Sequence, residues 1–508
     1  MGNRLTIDVP LNRVEGDLEV RVEVENGVVV DAWCSGTMYR GFENILAGRG
    51  ASDGLLITPR ICGICSTSHL TAAALALDMA ANIQPPQDAV RIRNLTHAVE
   101  RLQSDMRHTF LMYTADFVNP NYKDNPLYDE ACLRYRPFQG RTVIDVINVT
   151  KKLLEIIAIF GGQWPHSSYM VPGGIASIPS SSDILQAKLL LKQYRNWYES
   201  KILGCGLERW TAVKSKSDID AWLEENDAHR NSELGFFIQY AESINLDKIG
   251  GGHNNFIGYN GFQIPPNGDG NYLIPEGFSV GADVSPFNQE RIGEHVAYSW
   301  FKDYSGGKHP FNGETRPYAT GQEGKKYSWA KAPRYEDMPA ETGPLAEMVN
   351  SGNPLFTDLI QHGKANAFVR QLARVVRQAW LIPVMEGWLD DITDDNLFYK
   401  APSKLYEGEG YGLTQAARGA LGHWIKISGG KIEHYQIITP TAWNASPRDQ
   451  SGVRGPMEEA LVGTPVKDAD NPVELGHVVR SFDACLVCTV HTVSKNRISP
   501  PHIMRTGL

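Results

Sequence analysis

Two stretches near opposite ends of the chain, RICGICSTSH (residues 60–69) and SFDACLVCTVH (residues 481–491), each contain a C-x-x-C pair. Two intervening residues let the backbone curl until both sulfurs point the same way, so each pair can offer two thiolates to one ion. A structural zinc site normally closes a short loop of roughly 15 to 20 residues between its pairs. If these four thiolates share one metal, the two ends of the chain must therefore meet at a buried site. Two unrelated pairs, or one long-range structural zinc, are the alternatives on spacing alone. The four cysteines are Cys62, Cys65, Cys485 and Cys488.

The composition describes a globular chain of 508 residues with 42% hydrophobic and 21% charged residues, enough for a large core and about three domains by length. A net charge of -9 without a basic cluster argues against nucleic acid as a partner. The most apolar stretch, residues 70–81, contains Asp78 and is shorter than the roughly 20 residues of a membrane helix. The sequence MGNRLTIDVP lacks the apolar region of an export signal, and seven cysteines do not indicate a disulfide framework. We therefore expect a soluble protein in the reducing cytoplasm.

The periodicity of the sequence predicts β structure at the start and helices in the middle. Residues 18–30 alternate apolar and charged side chains and turn at Asn26-Gly27, a hairpin pattern. Apolar residues recur at steps of three and four over residues 92–110, and similar helical patterns run over about 182–203 and 357–388.

Two later regions complete the expected fold. Residues 260–344 are rich in Gly, Pro and aromatic residues and predict a long loop, which either serves a function, for example by wrapping another surface, or is an exposed variable insertion. Residues 419–440 predict two strands joined at Gly429-Gly430. The predicted fold class is α+β, mostly α: a large multi-helical core with an N-terminal antiparallel β-sheet and small β elements near the C-terminus.

The residues around the cysteines resemble the large subunit of nickel-iron hydrogenases, with signatures R-x-C-G-x-C-x-x-x-H and D-P-C-x-x-C-x-x-H. Further blocks follow in the expected order over nearly the whole chain. They are NRVEG (12–16), YRGFE (39–43), GGQWPHSSYMVPGGI (161–175), KAPRYEDMPAETGPLAE (331–347), QAARGALGHW (415–424) and ITPTAWNASPRD (438–449). The matching signature residues are Arg60, Cys62, Gly63, Cys65, His69, Asp483, Cys485, Cys488 and His491.

The resemblance implies that all four cysteines bind nickel, and that Cys65 and Cys488 also bridge to an iron carrying carbon monoxide and two cyanides. Soft thiolates suit both metals. The other cysteines are scattered and are interpreted as small apolar residues, so we expect no iron-sulfur cluster in this chain. They are Cys34, Cys132 and Cys205.

The implied activity is reversible heterolytic cleavage of hydrogen, with the uptake direction favoured. By resemblance, Arg418 lies above the open metal position, the Cys485 thiolate is the first proton acceptor, and Glu15 is the proton relay. Asp483 is the candidate acid for pairing with Arg418, because the place of a second acid in relatives here holds Ser104, beside Asp105. An ordinary ion pair is the alternative for Arg418, and a pair with Arg13 for Glu15.

The resemblance also implies a magnesium ion held by Glu43, His491 and the backbone carbonyl of Ile437, with an ordinary surface glutamate as the alternative for Glu43. His69 is expected to hydrogen-bond a cysteine sulfur or to face the space between the metals. Thr441 is expected to donate a hydrogen bond to a cyanide.

Several partners follow from the resemblance. Residues 1–491 are expected to form a single intertwined catalytic domain, and residues 492–508 an extension that a maturation endopeptidase removes. A small subunit with iron-sulfur clusters would carry electrons to the acceptor, in one heterodimer or in a higher oligomer of heterodimers. We expect an uptake-type enzyme in the cytoplasm, either free or peripheral to the cytoplasmic face of the membrane. A regulatory hydrogen sensor of the same family, or a non-catalytic relative with a structural metal, is the alternative.

Overall fold

A computed structural model describes residues 4–264, 271–321, 324–393, 397–402 and 405–486 of the chain. Over these ranges helices predominate, and the strands form several small antiparallel sheets, which confirms the predicted fold class. Within the same ranges, no helix combines the length and the hydropathy needed to cross a bilayer.

The strands are β1 (Arg4–Leu11), β2 (Leu18–Glu25), β3 (Val28–Gly36), β4 (Met170–Val171), β5 (Gly174–Ile175), β6 (Asn255–Gly258), β7 (Gly261–Gln263), β8 (Tyr272–Ile274), β9 (Gly277–Val280), β10 (Asp283–Ser285), β11 (Ile292–His295), β12 (Ala332–Tyr335), β13 (Gly408–Ala416), β14 (Gly419–Ser428) and β15 (Lys431–Ile438). The α-helices are α1 (Phe42–Leu46), α2 (Gly54–Ile57), α3 (Ser66–Ala80), α4 (Gln87–Arg107), α5 (Tyr128–Tyr135), α6 (Arg141–Gly161), α7 (Ser181–Trp197), α8 (Leu207–Thr211), α9 (Lys216–Glu225), α10 (Asp227–Asn231), α11 (Glu233–Ser243), α12 (Pro344–Asn350), α13 (Pro354–Gln361), α14 (Ala367–Val376), α15 (Gln378–Asp391), α16 (Pro440–Asn444), α17 (Pro456–Leu461) and α18 (Val473–Ser481). Two π-helical segments, His108–Tyr113 and Tyr198–Leu203, extend α4 and α7.

The N-terminal sheet has the order β1-β2-β3, and all of its pairs are antiparallel. The predicted hairpin between β2 and β3 is confirmed: Asn26 and Gly27 both have positive φ, at 52° and 79°, as a tight hairpin turn requires. Strand β1 adds a third strand that the sequence pattern did not predict.

The predicted helices are present, with one difference. Every residue from 92 to 106 of α4 is buried, so this helix crosses the interior. The pattern over 357–388 is not one helix but three, α13, α14 and α15. Asn366 ends the interruption after α13, because its side chain accepts a hydrogen bond from the Val369 N–H and so caps α14.

Residues 260–344 are not a long loop, so that expectation was wrong in part. The described part of this region contains β7 to β12, each of three or four residues and paired antiparallel. Strands this short leave too few alternating positions for periodicity to be seen in the sequence.

Helix α3 packs directly on β13, and this contact aligns the first cysteine pair with the strands that follow. Gly408, Gly410 and Gly412 lie two residues apart on one face of β13. They face the helix at Ala80, Ala76 and Ala72, where a Cβ on Gly412 would lie 1.9 Å from the Ala72 carbonyl oxygen. Two strand residues advance about 6.6 Å and four helix residues about 6.0 Å, so the two rows match.

Candidate metal centre

The sulfurs of three signature cysteines converge in the interior. The Sγ atoms of Cys62, Cys65 and Cys485 all lie within 4.8 Å of one another, and those of Cys62 and Cys485 are 3.5 Å apart. Two thiolates bound tetrahedrally to one metal at about 2.3 Å would be about 3.8 Å apart, so this spacing fits a shared ion. Cys488 and His491 lie outside the described residues. Cys34, Cys132 and Cys205 lie outside the converging group.

Backbone contacts bring the two ends of the chain to this point. Glu15 forms an isolated parallel bridge with Cys485, in which the Glu15 N–H donates to the Ala484 carbonyl at 3.4 Å and the Leu486 N–H donates to the Glu15 carbonyl. The Cys485 N–H donates to the Thr441 hydroxyl oxygen at 2.9 Å, which ties the C-terminal pair to α16. The juxtaposition that the cysteine spacing requires is therefore present.

The first cysteine pair is held by the start of α3, since Cys65 immediately precedes this helix. Glu100, which is buried on α4, accepts from the N–H groups of Thr67 and Ser68 at 2.7 and 2.8 Å. Its carboxylate thereby satisfies amides of the first helical turn that have no partner within the helix. Sequence reasoning missed Glu100, because a glutamate within a helical pattern carries no sign of what it caps.

Arg418 lines a small cavity together with Cys65, Cys485, His69 and Thr441. Burial alone would lower the pKa of its guanidinium, but Asp483 and the nearby thiolates raise that pKa well above its usual value. Among the described atoms, its Nη1 has no hydrogen-bond partner. The cavity is thus lined both by a charged donor and by cysteine side chains.

Asp483 holds Arg418 in place, with the Arg418 Nε 3.1 Å from the Asp483 Oδ1. The same carboxylate contacts the His108 Nδ1 and the Arg374 Nη1, each at 2.9 Å. Burial alone would raise the pKa of Asp483, but Arg418, His108 and Arg374 together hold it well below its usual range. His108 and Arg374 were not found from the sequence, because both act through Asp483 from distant positions in the chain.

Asp105 does not line the cavity and belongs to a buried ion-pair network. It accepts from the Arg377 Nε and Nη2 at 2.7 and 2.8 Å, and lies 3.3 Å from the Arg374 Nη1. Arg377 also contacts Glu347 at 3.3 Å. The neighbouring Ser104 is buried too, and within the described part of the chain its hydroxyl has no partner.

Glu15 lies beside the cysteines and is half-buried. Burial, and next the charge of Cys62, raise the pKa of its carboxyl, whereas Arg418 and Arg40 oppose the rise. The alternative pair with Arg13 is not formed, since Arg13 instead pairs with Asp116 and donates to the Met112 carbonyl.

Glu43 and Ile437 are neighbours, as the expected magnesium site requires. The Ile437 N–H donates to the Glu43 Oε1 at 3.1 Å, and the Thr315 hydroxyl donates to the other oxygen. The Glu43 side chain is 15% exposed, so it is not an ordinary surface glutamate. Lys331 lies 3.9 Å from Glu43 and 3.8 Å from Glu294. Burial raises the pKa of Glu294 to about 7, against the opposing effect of Lys331.

His69 is buried, lines the cavity and belongs to a row of hydrogen-bonded polar side chains. Its Nδ1 is 3.0 Å from the His423 Nε2, and the His423 Nδ1 is 2.9 Å from the Tyr435 hydroxyl. Burial lowers the pKa of His69 to about 4. His423 belongs to the QAARGALGHW block, but nothing in the sequence indicated its contact with His69.

Comparisons with known proteins agree on one family. The family described as nickel-dependent hydrogenase matches residues 40–125 and 236–491. The periplasmic NiFeSe hydrogenase large subunit of Desulfomicrobium baculatum is 34% identical, over 96% of this chain and 95% of that protein. The uptake hydrogenase large subunit of Afipia carboxidovorans is 28% identical, over 97% of this chain and 96% of that protein. The solved structure of the reduced Ni-Fe-Se hydrogenase from D. vulgaris Hildenborough has a TM-score of 0.82 and 31% identity, and covers 96% of this chain and 100% of that chain.

Proposed function

Since the chain belongs to the nickel-dependent hydrogenase family and is a hydrogenase large subunit, we propose that it cleaves hydrogen at a nickel-iron centre held by its cysteines, working in the uptake direction. The family resemblance stated from the sequence is confirmed. The observation that supports the proposed centre is the convergence of the Cys62, Cys65 and Cys485 sulfurs beside Arg418. Three buried soft donors from opposite ends of the chain fit nickel and low-valent iron.

In this proposal Cys62, Cys65, Cys485 and Cys488 would hold nickel, and Cys65 and Cys488 would also be ligands of an iron that carries one carbon monoxide and two cyanides. When bound, the centre supplies the redox chemistry that takes two electrons from hydrogen. Thr441 lines the cavity and accepts from the Cys485 N–H. Because that contact uses only an oxygen lone pair, the hydroxyl hydrogen of Thr441 can be donated to a cyanide.

The proton of the cleaved hydrogen goes first to the Cys485 thiolate. Arg418 is too basic to accept it, because Asp483 and the thiolates keep the guanidinium charged. Arg418 instead supplies a fixed positive charge beside the cavity and positions hydrogen there. The contact between its Nε and Asp483 holds the guanidinium in place.

Glu15 takes the proton onward from Cys485. Its backbone is paired with that of Cys485, and its raised pKa brings the carboxyl nearer to the range in which it can both accept and release a proton. In the proposed magnesium site, Glu43, His491 and the Ile437 carbonyl supply the hard oxygen and imidazole ligands.

Electrons leave through a small iron-sulfur subunit, since the described cysteines outside the centre do not cluster. That subunit, in a heterodimer or a higher oligomer, reaches the electron acceptor. A maturation endopeptidase removes residues 492–508, a segment outside the described residues. A cytoplasmic location, peripheral to the membrane, is part of the proposal, although the Desulfomicrobium baculatum relative is named periplasmic.

Elemental analysis of the purified two-subunit complex tests the centre. We expect nickel and iron in this chain, infrared bands of carbon monoxide and cyanide, and hydrogen oxidation at catalytic turnover. Cys62→Ser should lose nickel and activity, whereas Cys34→Ser, a matched buried cysteine outside the centre, should keep both. Zinc in place of nickel in the assembled complex, without the infrared bands, would refute the proposed centre, and nickel and bands without turnover would favour the sensor alternative. Processing is contradicted if the mass of an active preparation still includes residues 492–508.

A further inference from the structure

A polar chain of three fully buried side chains leads from the strands β14 and β15 to the metal cavity. His423 on β14 and Tyr435 on β15 lie on the same face of the ladder, because Tyr435 pairs with Ile425, two residues beyond His423. The Tyr435 hydroxyl is 2.9 Å from the His423 Nδ1, and the His423 Nε2 is 3.0 Å from the His69 Nδ1. His69 in turn lines the cavity that Cys65 also lines.

The hydrogen of the Tyr435 hydroxyl decides the direction of these bonds. Within the part of the chain that the structure describes, this hydroxyl makes a single hydrogen bond, to His423. If it accepted that bond, its own buried hydrogen would have no acceptor, which costs about 1–3 kcal/mol. The favoured arrangement is therefore donation from Tyr435 to the His423 Nδ1.

The direction of the hydrogen bond between His423 and His69 follows, because a neutral imidazole carries a single N–H. Burial lowers the pKa of His423 well below its usual range, so the ring is neutral and carries one N–H. With Nδ1 accepting from Tyr435, that N–H is on Nε2 and donates to the His69 Nδ1. A neutral ring whose Nδ1 accepts must carry its hydrogen on Nε2, and burial favours the neutral form of His69 as it does for His423.

We infer that Tyr435 is a positioning residue of the metal centre: through His423, its hydroxyl fixes His69 as the Nε2–H tautomer, so that the cavity receives a hydrogen-bond donor there. The inference rests on the proposed function, because it assigns the target of that donor to the thiolate cage. An N–H directed at electron-rich sulfur is attractive and draws electron density from it, whereas the opposite tautomer would present a lone pair.

The test is Tyr435→Phe in the assembled two-subunit enzyme. The change removes one hydroxyl and keeps the ring. Without that donor the His423 Nδ1 no longer has to accept a hydrogen bond, so His423 is free to carry its hydrogen on Nδ1 and the bond between His423 and His69 can reverse. We expect nickel content to stay at the wild-type level, the infrared bands of the iron ligands to move to lower frequency as the thiolates become more electron-rich, and turnover to fall by about tenfold.

Two controls separate this effect from a general loss of packing. Tyr113→Phe also removes a fully buried hydroxyl, one without a partner among the described residues, and should leave bands and turnover unchanged. His423→Gln can still donate an amide N–H to His69, so it should keep the wild-type bands, whereas His423→Leu should reproduce the shift of Tyr435→Phe.

Each outcome bears on one claim. Wild-type enzyme without these bands would refute the proposed centre itself. Wild-type bands that stay in place in Tyr435→Phe, or that move equally in Tyr113→Phe, would overturn the inference alone. If Tyr435→Phe does not assemble, the pair of His423 variants decides: equal bands in His423→Gln and His423→Leu would overturn the inference, and a shift only in His423→Leu would support it.

Discussion

Replacing Asp105 by Asn should loosen the helices that support the cavity, although Asp105 does not line it. The carboxylate is completely buried and accepts two hydrogen bonds from Arg377, at 2.7 and 2.8 Å, and one from Arg374. Arg374 in turn holds Asp483 at 2.9 Å. Asn keeps the shape of the side chain but removes the charge, so two buried guanidinium groups lose a shared counter-ion.

The size of the expected destabilisation follows because Asp105 and both of its arginine partners are buried. Arg374 and Arg377 are 1% and 0% exposed, so water cannot replace the missing carboxylate. Removing one partner from a buried ion pair typically costs about 3–5 kcal/mol, because an uncompensated charge stays behind. A loss of about 3 kcal/mol corresponds to an opening equilibrium about 100-fold more populated.

Amide hydrogen exchange of the assembled complex measures this locally. Peptides from α4, α14 and α15 should exchange about 100-fold faster or more in Asp105→Asn, whereas those of the N-terminal sheet should not change. Asp220→Asn is the matched control: Asp220 pairs with Lys216, four residues away on α9, and the two side chains are 58% and 43% exposed. That change should alter exchange only about twofold. If Asp105→Asn has no larger effect than Asp220→Asn, the reasoning from buried charge is refuted.

Three further predictions concern single side chains. Arg418→Lys should retain nickel but lose most turnover, because a single ammonium cannot replace the fork that binds Asp483 and faces the cavity; full activity at wild-type nickel content would remove Arg418 from the mechanism. Glu15→Gln should abolish hydrogen production and hydrogen-deuterium exchange, since an amide cannot carry the proton, and persistence of both would contradict a relay. Burial raises the pKa of Glu458 from 4.5 to about 7, so the folded state favours the protonated acid and should lose about 3 kcal/mol of stability as pH rises through this interval. Glu458→Gln should lack that dependence in thermal midpoints measured from pH 4.5 to 8, and parallel profiles would show that the pKa shift is absent.

Much of the local structure could be predicted, because short-range patterns determine it. The hairpin at Asn26-Gly27 forms because both residues can adopt the positive φ that its turn requires, and the helical stripe over residues 92–110 lies in α4 and the π-helical segment that extends it. The small strands between residues 260 and 344 could not be found, because three or four residues are too few to show an alternating pattern. The break between α13 and α14 depends on the Asn366 cap of α14, and the spacing of apolar residues contains no information about such a cap.

The sequence by itself indicated the chemistry of this protein: the two C-x-x-C pairs offer thiolates that suit a soft metal ion, and a metal shared by both pairs requires the chain ends to meet. Only the tertiary structure decided which buried groups surround the centre. Every residue from 92 to 106 of α4 is buried, so this helix has no exposed side that would show which neighbour each residue meets. The sequence therefore did not predict that Glu100 caps α3 or that Asp105 binds Arg377. His69 and His423 meet across 354 positions, and such a contact depends on packing, because no local preference of either residue encodes its partner.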